Sequence, residues 1–204
     1  MSSSRNYILS TLTKNKPARS PLPELPLVSA AGLDLEEKFS KTAISIGSSV
    51  HRVKDYGQIE VILKEQFPSL KQVVSRIGEA GLFADQQQNL TEDPHALEAV
   101  DLAILKGQFA VAENSAIWIE ENGMGTRVLP FICQHLAIVI HQKQIVASMH
   151  QAYDLIGDRD YGYGVFIAGP SKTADIEQSL VLGAHGPRSL HVFILAEEAE
   201  KVNQ

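Results

Sequence analysis

The stretch YGYGVFIAGPSKTADIEQSLVLGAHGPRSLHVFIL, residues 161–195, constrains the fold more than any other part of the chain. Residues 164–168 form a short apolar run that is typical of a buried strand, and the Gly-Pro-Ser sequence at 169–171 predicts a turn after it. Residues 173–181 predict a short helix, because a threonine stands at the N-cap position and apolar residues recur four apart. Residues 190–195 predict a second buried strand, so the stretch predicts two parallel strands joined by a helix.

Within this stretch, GPSKTADIEQSLVLGAHGPRSLHVFIL closely resembles the signature of the LUD-domain family, in its lactate utilization protein C (LutC/YkgG) branch. That branch shows GPS-x-TADIE, then G-x-HGPR, then an apolar strand with a histidine in it, and every one of these positions matches here. The matching block covers about an eighth of the chain. The resemblance implies a NagB/RpiA/CoA-transferase-like α/β fold and a role beside two iron–sulfur partner proteins in oxidising L-lactate to pyruvate.

Strands and helices alternate through much of the remaining chain, which predicts a three-layer α/β/α domain. Its sheet is expected to be largely parallel, with an antiparallel insertion near residues 101–120. The predicted helices are residues 34–46, 56–67 and 144–156, and the predicted strands are residues 50–53, 72–76, 101–105, 109–112, 116–120, 128–133 and 136–140. Residues 78–89 are polar and rich in glutamine, and they predict a loop.

The first thirty residues differ in character from the rest of the chain. Residues 4–14 predict a short amphipathic helix, and four prolines between residues 17 and 26 predict an extended linker after it. We therefore expect an N-terminal arm over residues 1–30 and an α/β domain over residues 31–204. Two alternatives stay open for the arm: a tail that packs on its own domain, or an arm that reaches a partner or is exchanged in a homo-oligomer.

Composition narrows the classes of partner and cofactor. The net charge of −6 makes nucleic acid an unexpected ligand. Cys133 is the single cysteine, whereas an iron–sulfur cluster generally needs about four thiolate ligands. We therefore expect no redox cofactor on this chain and place any clusters on partner proteins. No run approaches the roughly 20 apolar residues of a membrane span, and the first residues lack the apolar core of a signal peptide, so we expect a cytoplasmic protein.

The turn at 169–171 is the first candidate for ligand binding, because ligands of parallel α/β sheets bind at the carboxyl ends of strands. Backbone N–H groups at the start of the predicted helix could bind an anion, with further donors from Ser171, Lys172 and Thr173. Asp175 and Glu177 lie in the first turn of that helix, which suits a ligand with hydroxyl groups better than a bare phosphate. The alternative is structural: Asp175 caps the helix and Glu177 pairs with Arg188.

The other end of the stretch offers a second group of candidates. Arg188, beside His185 and Gly186, could hold a carboxylate such as that of lactate by two parallel hydrogen bonds, although an internal ion pair is the alternative. His135 precedes a buried strand, as a histidine does in the family's P-x-H-I segment. His191 lies inside an apolar strand, which is typical of a core histidine, and its spacing from His185 does not suit zinc.

A third candidate segment follows the predicted strand 109–112. The family shows a Thr-Gly-Thr segment here, whereas this chain has Asn114, Ser115 and Ala116 after a matching Glu113. If relatives bind a ligand there, the ligand or its pose differs in this chain. Glu113 is the candidate general base, with helix capping or solvation as the alternative. The candidate ligand-binding residues are Asn114, Ser115, His135, Gly169, Pro170, Ser171, Thr173, Asp175, Glu177, His185, Gly186 and Arg188.

These observations give two hypotheses of function. The first is a LutC-like subunit of an iron–sulfur-dependent system that oxidises L-lactate to pyruvate. The second is a stand-alone enzyme of the NagB/RpiA/CoA-transferase-like superfamily that acts on an acyl, sugar-phosphate or folate-like substrate. The second rests on an analogy between folds, which is a weaker argument than a matched signature.

Overall fold

The structure of this chain, a computed structural model, describes residues 3–21, 23, 32–78, 83, 94–176 and 179–196. The chain divides into two compact units, residues 1–31 and 32–204. The helices are α1 (Ser4–Lys14), α2 (Leu35–Ser45), α3 (Tyr56–Gln66), α4 (Glu121–Met124), α5 (Leu129–Ile132) and α6 (Met149–Ile156). The strands are β1 (Ser49–Val53), β2 (Val73–Ser75), β3 (Leu102–Lys106), β4 (Phe109–Val111), β5 (Ile117–Glu120), β6 (His135–His141), β7 (Ile145–Val146), β8 (Gly164–Ile167), β9 (Lys172–Ile176), β10 (Ser179–Leu182) and β11 (Ser189–Leu195).

The N-terminal unit contains the predicted helix α1. Its apolar side chains are exposed, with Tyr7 and Leu12 at 71% and 58% relative exposure. No described residue of α1 is buried within this structure.

A five-stranded parallel sheet forms the centre of the second unit, in the order β1-β11-β6-β3-β2. Its middle strands are continuous apolar runs, such as LAIVI in β6, because both faces of the sheet are buried. Two aspartates fix the helices that begin beside it. Asp34 accepts a hydrogen bond from the backbone N–H of Glu37 at the start of α2, and Asp55 accepts one from Gln58 at the start of α3.

The two faces of the parallel sheet pack against different layers. Ile59 and Leu63 of α3 cover one face, where they pack in one cluster with Phe193 of β11. Phe39 and Ala43 of α2 cover the other face, beside a second sheet in the order β7-β4-β5-β8. Helix α6 packs on the far side of that second sheet. The expectation of an α/β fold with a largely parallel central sheet is therefore confirmed.

The second sheet is a mixed sheet, and it contains the antiparallel strands predicted at 109–112 and 116–120. The strand predicted at 101–105 is not part of this insertion, because it is β3 of the parallel sheet. Strand β5 pairs antiparallel with both β4 and β8, and β4 pairs parallel with β7. Trp118 of β5 is buried on the outer face of this sheet, against Phe109 and Phe166.

The helix predicted over residues 173–181 is wrong. Residues 172–176 and 179–182 form the hairpin β9–β10, in which Thr173 lies opposite Val181. Threonine, isoleucine and valine in this segment favour extended backbone, and the hairpin supplies cross-strand partners for its backbone polar groups. The predicted unit of two parallel strands is also wrong, because β8 belongs to the mixed sheet and β11 to the parallel sheet.

Two further predictions need correction. Residues 128–133 are not a strand: Pro130 stands in the first turn of the short helix α5, where its missing N–H is tolerated. The helix predicted over 144–156 begins only at Met149, because the Ser148 side chain caps it and residues 145–146 form β7. Most of the loop predicted at 78–89 lies outside the described residues. Among the described residues, none of the helices has the length and apolar character to cross a membrane.

Candidate functional site

The Gly-Pro-Ser turn and the His-Gly-Pro turn of residues 161–195 meet in space and form a cleft of about 320 Å³, which we call the Ser171 cleft. Strand β8 leads into it at one side and β11 begins at the other. Five of the predicted ligand-binding residues line this cleft: Gly169, Pro170, Ser171, His185 and Gly186.

Two glycines allow the close approach of backbones at the Ser171 cleft. Gly169 has a φ of +76°, and a Cβ there would lie 3.3 Å from the backbone oxygen of Ile46. A Cβ on Gly186 would lie 3.1 Å from the Cβ of Ser171. These positions favour glycine, the first because of its backbone conformation and both because there is little room for a side chain.

The backbone N–H of Ser171 donates a hydrogen bond to the carbonyl oxygen of Pro187 at 2.9 Å. The expectation of an anion site at a helix N-terminus is therefore wrong here, because no helix follows Ser171 and its N–H is already used. Polar groups at this cleft come from side chains instead, with the Ser171 hydroxyl half-buried and Lys172 and His185 exposed.

The Ser171 cleft opens at the amino edge of the parallel sheet. Leu136 and Leu190, the second residues of β6 and β11, line its floor. The expectation that the turn at 169–171 lies at the carboxyl edge of the parallel sheet is wrong, because β8 belongs to the mixed sheet.

A second cleft of about 380 Å³ lies at the same amino edge and contains His135 and Arg188; we call it the Arg188 cleft. Asp101 and Gln134 also line it. The backbone N–H of Arg188 donates to the carbonyl oxygen of Gln134 at 2.8 Å, which fixes where the exposed Arg188 side chain begins. Asp101 accepts hydrogen bonds from the backbone N–H groups of Lys71 and Gln72, at 2.7 and 3.0 Å.

His135 is held in place within the Arg188 cleft. Its Nδ1 lies 2.8 Å from the Ser189 hydroxyl, and its ring contacts that of Phe67 with centroids 4.2 Å apart. Burial and, secondly, the positive charge of Arg188 lower the pKa of His135, while the charge of Asp101 opposes them. His135 is therefore a neutral imidazole beside a guanidinium group at neutral pH, which is an arrangement that can accept or donate one proton.

The Glu113–Ser115 segment forms the turn between β4 and β5. Glu113 is exposed, and its carboxylate accepts a hydrogen bond from the backbone N–H of Met149 at the start of α6. Asn114 Oδ1 accepts from the N–H of Ala116, and Ser115 has a φ of 58°. None of the three lines the two clefts in the described part of the chain. This is the capping arrangement that was the alternative for Glu113; its role as a base stays a prediction.

Three other candidates remain. Thr173 is in β9, the side chain of Asp175 is outside the described residues, and so is Glu177. His191 is 5% exposed in the core between the sheet and α3, so the expectation of a core histidine is confirmed. Within the described residues, no three histidine, cysteine, aspartate or glutamate side chains are grouped as metal ligands would be.

Several lining residues are absent from the sequence-based candidates. They are Phe131 and Leu136 in the Ser171 cleft, and Phe67, Asp101 and Gln134 in the Arg188 cleft. Gln134 adjoins the predicted candidate His135 in sequence, which is a usable signal. Asp101 comes to His135 through the pairing of β3 with β6, and Phe67 through its position at the end of α3. Both are more than thirty positions from His135, so local sequence gives no signal for them.

Comparison with known proteins places this geometry in a family. The model of the LUD domain family matches residues 5–195. Lactate utilization protein C of Bacillus pumilus (strain SAFR-032) is 27% identical over 154 residues, covering 72% of this chain and 60% of that protein. Lactate utilization protein C of Shouchella clausii (strain KSM-K16) is 34% identical over 96 residues, covering 44% and 42%. The chain thus spans 60% or less of the length of these curated relatives.

A solved structure shares the fold. A DUF162 family protein from Deinococcus radiodurans superimposes with a TM-score of 0.61 at 19% sequence identity, covering 83% of this chain and 99% of that one. At this identity the similarity establishes the arrangement of elements.

Proposed function

We propose, since this chain belongs to the LUD domain family, that it is a subunit of a lactate-utilization system and helps partner proteins to oxidise L-lactate to pyruvate. The observation that carries the proposal is the family match over residues 5–195, together with relatives whose names are lactate utilization protein C. The Ser171 cleft, which contains both turns of the family signature, and the Arg188 cleft, which contains Arg188 of that signature, are where this chain would meet the substrate or a partner.

The oxidation of lactate needs electron acceptors. In this proposal they are not on this chain. Cys133 is its only cysteine, and burial raises the pKa of that thiol to about 12, so it does not offer a thiolate to a cluster. The proposal therefore places the iron–sulfur clusters on partner proteins.

The Arg188 cleft has the chemistry for a small 2-hydroxy or 2-oxo acid. The Arg188 guanidinium would hold the carboxylate, and the neutral imidazole of His135 would lie near the hydroxyl or keto oxygen. Arg188 is exposed in the isolated chain, so a partner that covers the cleft would strengthen this contact by excluding water.

The experiment is lactate oxidation by the chain alone, by its partner proteins alone and by both together. We expect turnover only from the complete mixture, and no visible iron–sulfur absorbance from this chain. Arg188→Gln should reduce kcat/KM for lactate about tenfold or more, because a hydrogen bond to a charged group is lost. The matched control is Arg76→Gln, an exposed arginine outside both clefts. Turnover by the isolated chain, or full turnover by the partners without it, would refute the proposal.

The second candidate is a stand-alone enzyme acting on an acyl, sugar-phosphate or folate-like substrate. The observation in its favour is that the Ser171 cleft brings the Ser171 hydroxyl together with Lys172 and His185, which could bind and act on a polar substrate. A thermal-shift screen of the isolated chain against these substrate classes tests it. A selective shift that Ser171→Ala abolishes would favour this candidate over a subunit role.

A further inference from the structure

The Ser171 cleft has no acidic side chain among its described lining residues. Lys172 is the one lysine or arginine of that described lining, and Ser171 and His185 supply its other polar side chains. The remaining lining residues are apolar or glycine. This composition favours a ligand that carries a single negative charge and an apolar group.

The three polar side chains are available to a ligand. Within the described part of the chain, the side chains of Ser171, Lys172 and His185 form no ion pair or hydrogen bond. A Cβ on Gly47 would lie 3.6 Å from both the Nζ of Lys172 and the Cγ of Pro170, so the ammonium group lies on the side of the cleft where Pro170 forms the wall. An anion could therefore bind here without displacing an existing partner.

The backbone of the two turns favours a carboxylate over a phosphate. Phosphate sites are commonly built from several free backbone N–H groups. Pro170 and Pro187 have no N–H group, and the N–H of Ser171 already donates to the carbonyl oxygen of Pro187. The anion must therefore be held by side chains, and the single lysine matches the single charge of a carboxylate.

The floor of the cleft is apolar and already packed. Leu136 and Leu190 are 1% and 2% exposed, and both belong to the core cluster between the two sheets. Phe131 also lines the cleft but is 39% exposed, so part of its ring is free to contact a ligand. The small acid lactate has no group that would use these surfaces, whereas an aromatic or branched acid would bury its apolar part against them.

The size of the cleft limits the ligand. A volume of about 320 Å³ is at the lower end of the range for small-molecule sites. This volume suits a small organic acid better than a molecule the size of a dinucleotide.

We propose that the Ser171 cleft binds a monocarboxylic acid with an aromatic or branched apolar group. Lys172 and the Ser171 hydroxyl hold the carboxylate, His185 donates a further hydrogen bond, and the apolar group lies between Phe131 and Leu190. This inference goes beyond both candidate functions, because the binding needs neither partner proteins nor turnover by this chain.

The first test compares ligands on the full chain, by calorimetry and by backbone amide NMR shifts. The probe is phenylacetate, and its controls are phenylacetamide, which lacks the charge, acetate, which lacks the ring, and phenyl phosphate. We expect phenylacetate to bind about tenfold more tightly than phenylacetamide, because a hydrogen bond to a charged group is lost. It should also bind more tightly than acetate and phenyl phosphate. The shifts should centre on Ser171, Gly186 and Leu190.

Two variants separate the charged contact from the apolar one. Lys172→Gln should weaken phenylacetate about tenfold and leave phenylacetamide unchanged. Phe131→Ala should weaken both ligands alike, because it removes an apolar contact that they share. The matched controls are Lys106→Gln and Val61→Ala, at an exposed lysine and an exposed apolar residue outside this lining. Far-UV circular dichroism checks that each variant is folded.

Three results would overturn the proposal. They are no binding of phenylacetate at millimolar concentration, binding of phenylacetamide or phenyl phosphate at least as tight as that of phenylacetate, and shifts that centre on His135 and Arg188. Equal binding of phenylacetate by Lys172→Gln and the unaltered chain would also contradict it. Lactate oxidation with partner proteins is a separate measurement, so the failure of one proposal does not decide the other.

Discussion

The imidazole rings of His51 and His191 lie stacked on the neighbouring strands β1 and β11, with centroids 5.8 Å apart and an interplanar angle of 8°. Phe67 contacts His191 edge-on and also contacts His135 on β6. Nδ1 of His191 and Nε2 of His51 are buried without a hydrogen-bond partner among the described residues. Three histidines are thus held on one face of the sheet in surroundings that disfavour positive charge.

This row of histidines predicts that stability falls in mild acid. Burial, helped by His51 and His135, lowers the pKa of His191 from 6.5 to about 4. The unfolded chain therefore takes up a proton that the folded chain does not, and stability declines as the pH falls from 6.5 towards 4. The full effect of His191 is about 3 kcal/mol.

Urea unfolding between pH 7.5 and 4.5 measures this effect. His191→Phe should flatten the dependence of unfolding free energy on pH, leaving the smaller parts from His51 and His135, whose pKa values burial also lowers. His150→Gln, at an exposed histidine on α6, should leave the slope unchanged. An unaltered slope in His191→Phe would contradict the assignment.

Gly164→Ala should destabilise the mixed sheet. Gly164 lies opposite Glu120 at the β5–β8 pairing, and a Cβ on it would overlap the ring of Trp118. Overpacking of this kind typically costs about 1–3 kcal/mol. Thermal unfolding followed by tryptophan fluorescence measures it. Gly78→Ala is the comparison, since a Cβ there meets nothing within 4 Å, and equal effects of the two substitutions would show that the Trp118 contact is not the cause.

The Cys133 thiol should be unreactive in the folded chain. It is 1% exposed, and burial raises its pKa to about 12, so almost none of it is thiolate at neutral pH. A thiol reagent such as DTNB should label it only as fast as the chain unfolds, and fully in denaturant. Rapid labelling of the native chain at pH 8 would show that the helix α5 region opens without global unfolding.

Asp101→Ala should loosen the wall of the Arg188 cleft. The substitution removes the acceptor for the N–H groups of Lys71 and Gln72, which should reduce stability by about 1–3 kcal/mol. It also removes the negative charge that raises the pKa of His135, so that pKa should fall further. NMR titration of the His135 ring measures this shift. Asp101→Asn keeps an acceptor oxygen and should lower the pKa with a smaller loss of stability; if it leaves the pKa unchanged, charge is not the cause.

The sequence predicted most of the helices and strands that are determined by neighbouring residues. Asp34 at the start of α2 and the apolar run of β6 each carry their own signal, and both predictions are confirmed. The helix expected at 173–181 failed because four-residue spacing of apolar side chains also fits a hairpin, and only the pairing of Thr173 with Val181 decides between them.

The sequence also predicted the part of the candidate site that lies in short, contiguous motifs. The Gly-Pro-Ser and His-Gly-Pro turns carry a sequence signature, and the structure brings them together in the Ser171 cleft. That His135 and Arg188 open a separate cleft depends on how β6 and β11 align, with Ser189 opposite His135. Such a register is a long-range property that a single sequence does not display.

The hairpin β9–β10 has a mechanical consequence. It links β8 of the mixed sheet to β11 of the parallel sheet, and the contact between Ser171 and Gly186 joins the two ends of that link. One wall of the Ser171 cleft is therefore attached to the mixed sheet and the other wall to the parallel sheet. A molecule that binds to both walls would link the two sheets. It should therefore slow amide hydrogen exchange even in strands that it does not contact.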